Sequence, residues 1–202
     1  MIDVTKAVLG LYLPTDPRWA NLAEIHIKDI LIDHAYCEQK AASSCISLII
    51  LHPDKEELVK TLTPVVAEEW GHFERVLEQL HKRGYQLGPA RKDEYVVALM
   101  KHERKGGHRD RQLMDKLLIN ALIEARSCER FKLLWKNIGD EELSKFYYEL
   151  MISEAGHYVN FIELAKLYRP EEEVKARWKE LLLIEAEIMR SFEPQNQGKR
   201  MH

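Results

Sequence analysis

Apolar residues recur at intervals of three and four through most of the chain, and runs of β-branched residues are short, so the pattern predicts an all-α protein. Breakers divide the helical pattern. Asp16-Pro17 supplies a capping residue and an N1 proline for a first stretch, which runs, with breaks allowed, to about His52 before Pro53. A second stretch covers about Glu56 to Arg83 and stops at Gly84; Pro64 inside it is expected to kink the helix or to begin its well-formed part. Gly84 to Lys92 is rich in glycine, proline and charge, and leads to a shorter helix from about Asp93 that the Gly106-Gly107 pair terminates. A third long helix is predicted from about Asp110 to Ile138, a tight turn at Gly139-Asp140, and a fourth from about Glu141 to Tyr168 before Pro170. A last amphipathic helix covers about Glu171 to Phe192. Two hairpins joined by a long crossover is the connectivity of a ferritin-like four-helix bundle, here with an additional C-terminal helix. We expect one domain over residues 1–193 and a disordered tail over 194–202.

The helical phase exposes an anomaly. Each long helix carries a glutamate on its apolar seam: Glu38 between Leu31 and Cys45, Glu69 between Leu62 and Val76, Glu124 between Leu117 and Phe131, and Glu154 between Tyr147 and Phe161. A buried carboxylate is costly unless it is paired or binds metal. Two of the four begin matched tetrads, Glu69-Trp70-Gly71-His72 and Glu154-Ala155-Gly156-His157. Glu38 precedes Glu69 by 31 residues and Glu124 precedes Glu154 by 30, so a hairpin bearing two glutamates and a histidine occurs twice. A bundle that holds two metal ions is built from such ligands, with a carboxylate from every helix and a histidine from each Glu-x-x-His helix.

Spacing by itself is a weak signal, because a third tetrad, Glu78-x-x-His81, also occurs. It lies about half a turn out of phase with Glu69, in the charged end of its helix, and reads as solvated surface. Glu129 competes with Glu124, since Ser127-Cys128-Glu129-Arg130 is locally like Tyr36-Cys37-Glu38-Gln39. Height favours Glu124: it stands 15 residues before Gly139, as Glu38 stands 15 before Pro53, whereas Glu129 falls too near its turn and has the polar helical neighbours Arg126, Lys132 and Lys136. Four carboxylates and two histidines form a hard, oxygen-rich donor set that suits a pair of iron or manganese ions. Asp33, His34 and Glu68 are candidates for orienting the histidine ligands.

Composition narrows the reading. At 202 residues, 46% hydrophobic and 31% charged, the chain has the make-up of a soluble globular protein, and its formal charge of −3 is not decisive about partners. Neither a signal peptide nor a membrane span is expected, and the protein is expected in the cytoplasm. Cys37, Cys45 and Cys128 are scattered, which argues against a disulfide framework, a zinc site or thiolate-bound iron.

Through Glu38, Glu69-x-x-His72, Glu124 and Glu154-x-x-His157 the whole chain resembles the ferritin-like carboxylate-bridged di-iron superfamily. In the stretches Asp33-His34-Ala35-Tyr36-Cys37-Glu38-Gln39-Lys40-Ala41-Ala42, Glu68-Glu69-Trp70-Gly71-His72-Phe73 and Ser153-Glu154-Ala155-Gly156-His157-Tyr158 it resembles the tRNA-(2-methylthio-isopentenyladenosine) hydroxylases. The resemblance implies two iron ions, dioxygen as co-substrate, and hydroxylation of the isopentenyl group on the modified adenosine beside the tRNA anticodon. It also implies an external electron donor, a ferredoxin or reductase, because three cysteines are too few for a four-cysteine iron centre. A tRNA substrate needs a basic surface, for which the crossover residues Lys101, Arg104, Lys105, Arg109 and Arg111 are the candidates, with Lys82, Arg83, Arg91 and Lys92 as extensions. Trp70, Phe73, Phe131 and Phe161 are candidates for lining an apolar pocket. The alternative reading is a ferritin-like peroxidase or iron-handling protein with the same metal site and no RNA affinity.

Overall fold

The computed structural model describes residues 9–192, and the tail expected over 194–202 lies outside them. The described residues form seven helices and no strand: α1 (Arg18–Ile25), α2 (Ile27–Leu51), α3 (Glu56–Lys82), α4 (Glu94–Met100), α5 (Arg109–Asn137), α6 (Glu141–Tyr168) and α7 (Glu171–Phe192). This is the expected all-α, ferritin-like order of two long hairpins, a crossover between them and an additional C-terminal helix. The described residues group into two compact units, one of residues 21–92 and one of residues 9–20 and 93–192.

In the first unit α2 and α3 form an antiparallel hairpin. The first helical stretch is divided at His26, between α1 and α2. Pro64 does not break α3, which runs unbroken for 27 residues; it lies on the exposed side, where the carbonyl deprived of its N–H partner can face water. The end of α3 is a Schellman motif. Tyr85 N–H donates to the Leu80 carbonyl at 2.9 Å and Gly84 N–H to that of His81 at 2.9 Å, with Gly84 at φ +72° supplying the left-handed residue. The chain then returns along α2, where the Tyr36 hydroxyl donates to the Gly88 carbonyl at 2.6 Å and Arg91 pairs with Asp29.

The second unit is built on the α5–α6 hairpin. Asp140 caps α6 by accepting from Leu143 N–H at 3.0 Å, and Asp93 caps α4 by accepting from Val96 N–H at 3.0 Å. The crossover helix α4 ends at Met100, sooner than expected; Gly106 and Gly107, both with φ near +80°, shape the loop that follows it rather than ending the helix. Helix α7 packs on this hairpin through Trp178 against Tyr158, ring centroids 5.8 Å apart, and through two buried ion pairs, Arg126 with Glu185 and Arg177 with Asp115.

Candidate metal centre

Each hairpin buries the same set of donors. Glu38, Glu69, Glu124 and Glu154 are at most 4% exposed, and His72 and His157 are buried with them. In the first hairpin, Glu38 from α2 and Glu69 and His72 from α3 each offer one ligand atom, all within 4.8 Å of one another. His72 Nδ1 lies 3.4 Å from Glu38 Oε2 and 3.9 Å from Glu69 Oε2. In the second, Glu124 from α5 and Glu154 and His157 from α6 satisfy the same limit, and His157 Nδ1 lies 3.5 Å from Glu154 Oε2. The three-residue step within each tetrad places Glu and His on one helical face, one turn apart. Two carboxylates and an imidazole in each buried triad form the oxygen-rich, histidine-containing donor set that iron or manganese takes, so the residues fit such an ion.

The residues around the triads separate the candidates. His34 Nε2 lies 2.5 Å from Glu38 Oε1 inside the protein, so His34 is placed to orient a carboxylate of the triad. Asp33 is buried, while Glu68 is exposed. Trp70 is 46% exposed, with its indole N–H directed to Glu74 at 3.2 Å, and so is corrected from pocket lining to surface. Phe73, Phe131 and Phe161 are buried. Glu78 and His81 are both exposed, as their phase required. Burial, assisted by the nearby Glu154 carboxylate, pushes the Cys128 thiol up to about 12, which keeps it protonated as an ordinary core residue donating to the Met151 carbonyl.

Glu129 is committed elsewhere. Its carboxylate accepts from the Thr15 N–H and hydroxyl, both at 2.8 Å, and pairs with Arg126. Arg126 is not the solvated neighbour its charge suggests: it is fully buried, donating to Glu185, to the Leu13 carbonyl at 2.9 Å and to the Thr15 hydroxyl at 3.1 Å. Burial disfavours its charge, yet the Glu129 and Glu185 carboxylates raise its pKa and hold it protonated. No local signal marks this network, because its members come from the N-terminal segment, α5 and α7.

Among the basic candidates, Lys101, Arg104, Lys105, Arg109 and Arg111 are all exposed. Arg104 pairs with Glu180 at 3.0 Å and Arg111 with Glu173 at 2.9 Å, both partners on α7. In the other unit Arg83 donates to the Gln79 side chain and Arg91 is held by Asp29.

Comparison with known proteins agrees along the full length. A protein described as tRNA 2-(methylsulfanyl)-N(6)-isopentenyladenosine(37) hydroxylase from Pseudomonas putida strain KT2440 is 38% identical over 202 residues, covering 100% of this chain and 95% of that protein. One of the same description from Salmonella typhimurium strain LT2 is 34% identical over 139 residues, 69% of this chain and 50% of that one. The solved structure of Protein 43 with aldehyde deformylating oxygenase activity from Synechococcus matches with a TM-score of 0.89 at 34% identity, covering 95% of this chain and 94% of its own. The model of the tRNA-(MS[2]IO[6]A)-hydroxylase family, MiaE, matches residues 2–202, and the chain belongs to that family.

Proposed function

We propose that this protein is a dioxygen-dependent di-iron monooxygenase that hydroxylates the isopentenyl group of 2-methylthio-isopentenyladenosine beside the tRNA anticodon. The observation that carries the reading is the duplicated buried triad, Glu38–Glu69–His72 and Glu124–Glu154–His157, in a chain of this family. In this reading the six side chains of the two triads hold two iron ions. Iron bound there supplies the redox chemistry for inserting one atom of dioxygen into a C–H bond, the other leaving as water with two electrons and two protons from outside.

The chain's own residues supply the setting for that chemistry. The carboxylates of Glu38, Glu69, Glu124 and Glu154 offset the charge of two cations in a place from which water is excluded. The 2.5 Å contact from His34 fixes the orientation of Glu38. Phe131 and Phe161 give apolar walls on α5 and α6, suited to a prenyl tail. The cations at the start of α5 bind phosphates, roughly 20 Å along that helix from Glu124. An external reductase or ferredoxin delivers the electrons.

The test is a reaction. Protein loaded anaerobically with ferrous iron, then given reductant, dioxygen and tRNA carrying the isopentenyl modification, is expected to add one oxygen atom to that nucleoside, as weighed by mass spectrometry. The Glu154→Ala protein should add none. A second reading, deformylation of an aldehyde, is favoured by the likeness to the Synechococcus protein; deformylated product from an aldehyde and none from tRNA would establish it instead. Within the site, Glu124→Gln is expected to lower bound iron, whereas Glu129→Gln should retain iron and lower thermal stability. The reverse pattern in a metal assay would make Glu129 the ligand.

A further inference from the structure

The basic loop after α4 is built into the protein rather than draped over it. Asp115, fully buried on α5, accepts from the backbone N–H of Arg104 at 2.8 Å and from two nitrogens of Arg177, Nε at 3.0 Å and Nη2 at 2.7 Å. Arg177, itself buried on α7, also donates from Nη2 to the His102 carbonyl at 2.6 Å. The loop backbone at 102 and 104 is thereby tied to α5 and α7 by an ion pair shielded from solvent, and Lys101, Arg104 and Lys105 project outward from it.

Two of the candidate cations already hold carboxylates. Glu180 binds Arg104 through Oε2 at 3.0 Å and Arg177 through Oε1 at 2.8 Å. One face of α7 repeats the arrangement two turns earlier, where Glu173 binds Arg111 through Oε1 at 2.9 Å and Arg169 through Oε2. In both cases one oxygen engages an exposed arginine of the loop or of the first turn of α5, and the other engages a less exposed arginine, Arg177 of α7 or Arg169 at the end of α6. If a phosphate took Arg104 and Arg111, neither glutamate would be left without a donor, because Arg177 still reaches Glu180 and Arg169 still reaches Glu173. Exposed pairs of this kind contribute little, whereas guanidinium and phosphate make bidentate, charge-assisted bonds.

We propose that residues 101–111 and the Glu173–Glu180 face of α7 form an ion-pair-exchange surface for RNA phosphates: Glu180 and Glu173 occupy Arg104 and Arg111 in the free protein, and phosphates replace them on binding. This rests on the tRNA reading given above. The two carboxylates preset the arginine side chains in position and set a threshold that isolated anions do not cross, while a strand presenting several phosphates at once does. Asp115 and Arg177 position the loop and do not contact the RNA.

Binding of the full-length protein to the modified tRNA, followed by fluorescence anisotropy across a salt series, tests the exchange. Glu173→Gln with Glu180→Gln is expected to tighten binding about three- to tenfold. Glu171→Gln with Glu172→Gln removes the same charge from α7, but those carboxylates pair with Lys175 and not with the loop. It should change affinity less than about twofold. Arg104→Gln with Arg111→Gln should weaken binding and flatten the slope of log K against log salt by about 1.5, the loss of two phosphate contacts. Equal tightening by the two glutamine pairs, or no tightening by the first, would overturn the exchange and leave tRNA binding intact. Absence of tRNA binding by the unaltered protein would overturn the tRNA reading itself.

Discussion

Replacing either His72 or His157 with alanine is expected to lower metal affinity by more than about 100-fold and to abolish hydroxylation together with it. Residues that only orient a ligand cost about 10–100-fold, and a direct ligand costs more. Each triad has one imidazole beside its carboxylates, and removing it leaves those carboxylates buried with a cavity in its place. His81→Ala is the control: it has the same Glu-x-x-His spacing, but Glu78 and His81 are exposed, so iron content and activity should be unchanged. Metal content measured beside nucleoside mass for the three proteins separates loss of the site from loss of the fold. Full retention of iron in both ligand variants would refute the assignment of the six residues.

The second large effect concerns stability. Arg126→Leu leaves Glu185 fully buried without its guanidinium and takes from Glu129 a partner it shares with Thr15. Breaking a buried ion pair from one side typically costs about 3–5 kcal/mol. For a chain of this size that corresponds to a fall in Tm of roughly 6–20 °C. The double variant Arg126→Leu with Glu185→Leu should recover most of the loss, because an apolar pair of similar volume carries no stranded charge. Urea denaturation of the two single variants and the double gives the coupling directly. A cost below about 1 kcal/mol for Arg126→Leu would mean that water reaches the pair and that α7 is held by its apolar contacts.

The two sets of residues differ in how they could be found. Glu38, Glu69, His72, Glu154 and His157 interrupt apolar seams at matched intervals, and every one is buried. The ends of α5, α6 and α7 fall within a residue of where Asp140, Pro170 and the apolar periodicity put them. Trp70 shows the limit of reading by neighbourhood: it adjoins Glu69 in the chain, yet a step of 100° turns it to the surface. Arg126 and Asp115 show another. Both are charged residues that composition assigns to solvent, and both are fully buried because their partners, Glu185 and Arg177, arrive from α7 about 60 residues later.

Helix limits, the buried face of each helix and the repeated Glu, Glu-x-x-His pattern were therefore legible in the residues alone, since each depends on the helical period and on neighbours within a few turns. Which arginines are core, which carboxylate of α5 is engaged by Thr15 and Arg126, and which cations of the loop already hold a glutamate were settled by the folded chain. A buried charge is tolerated only where an opposite charge meets it, and that meeting depends on the packing of segments far apart in the chain.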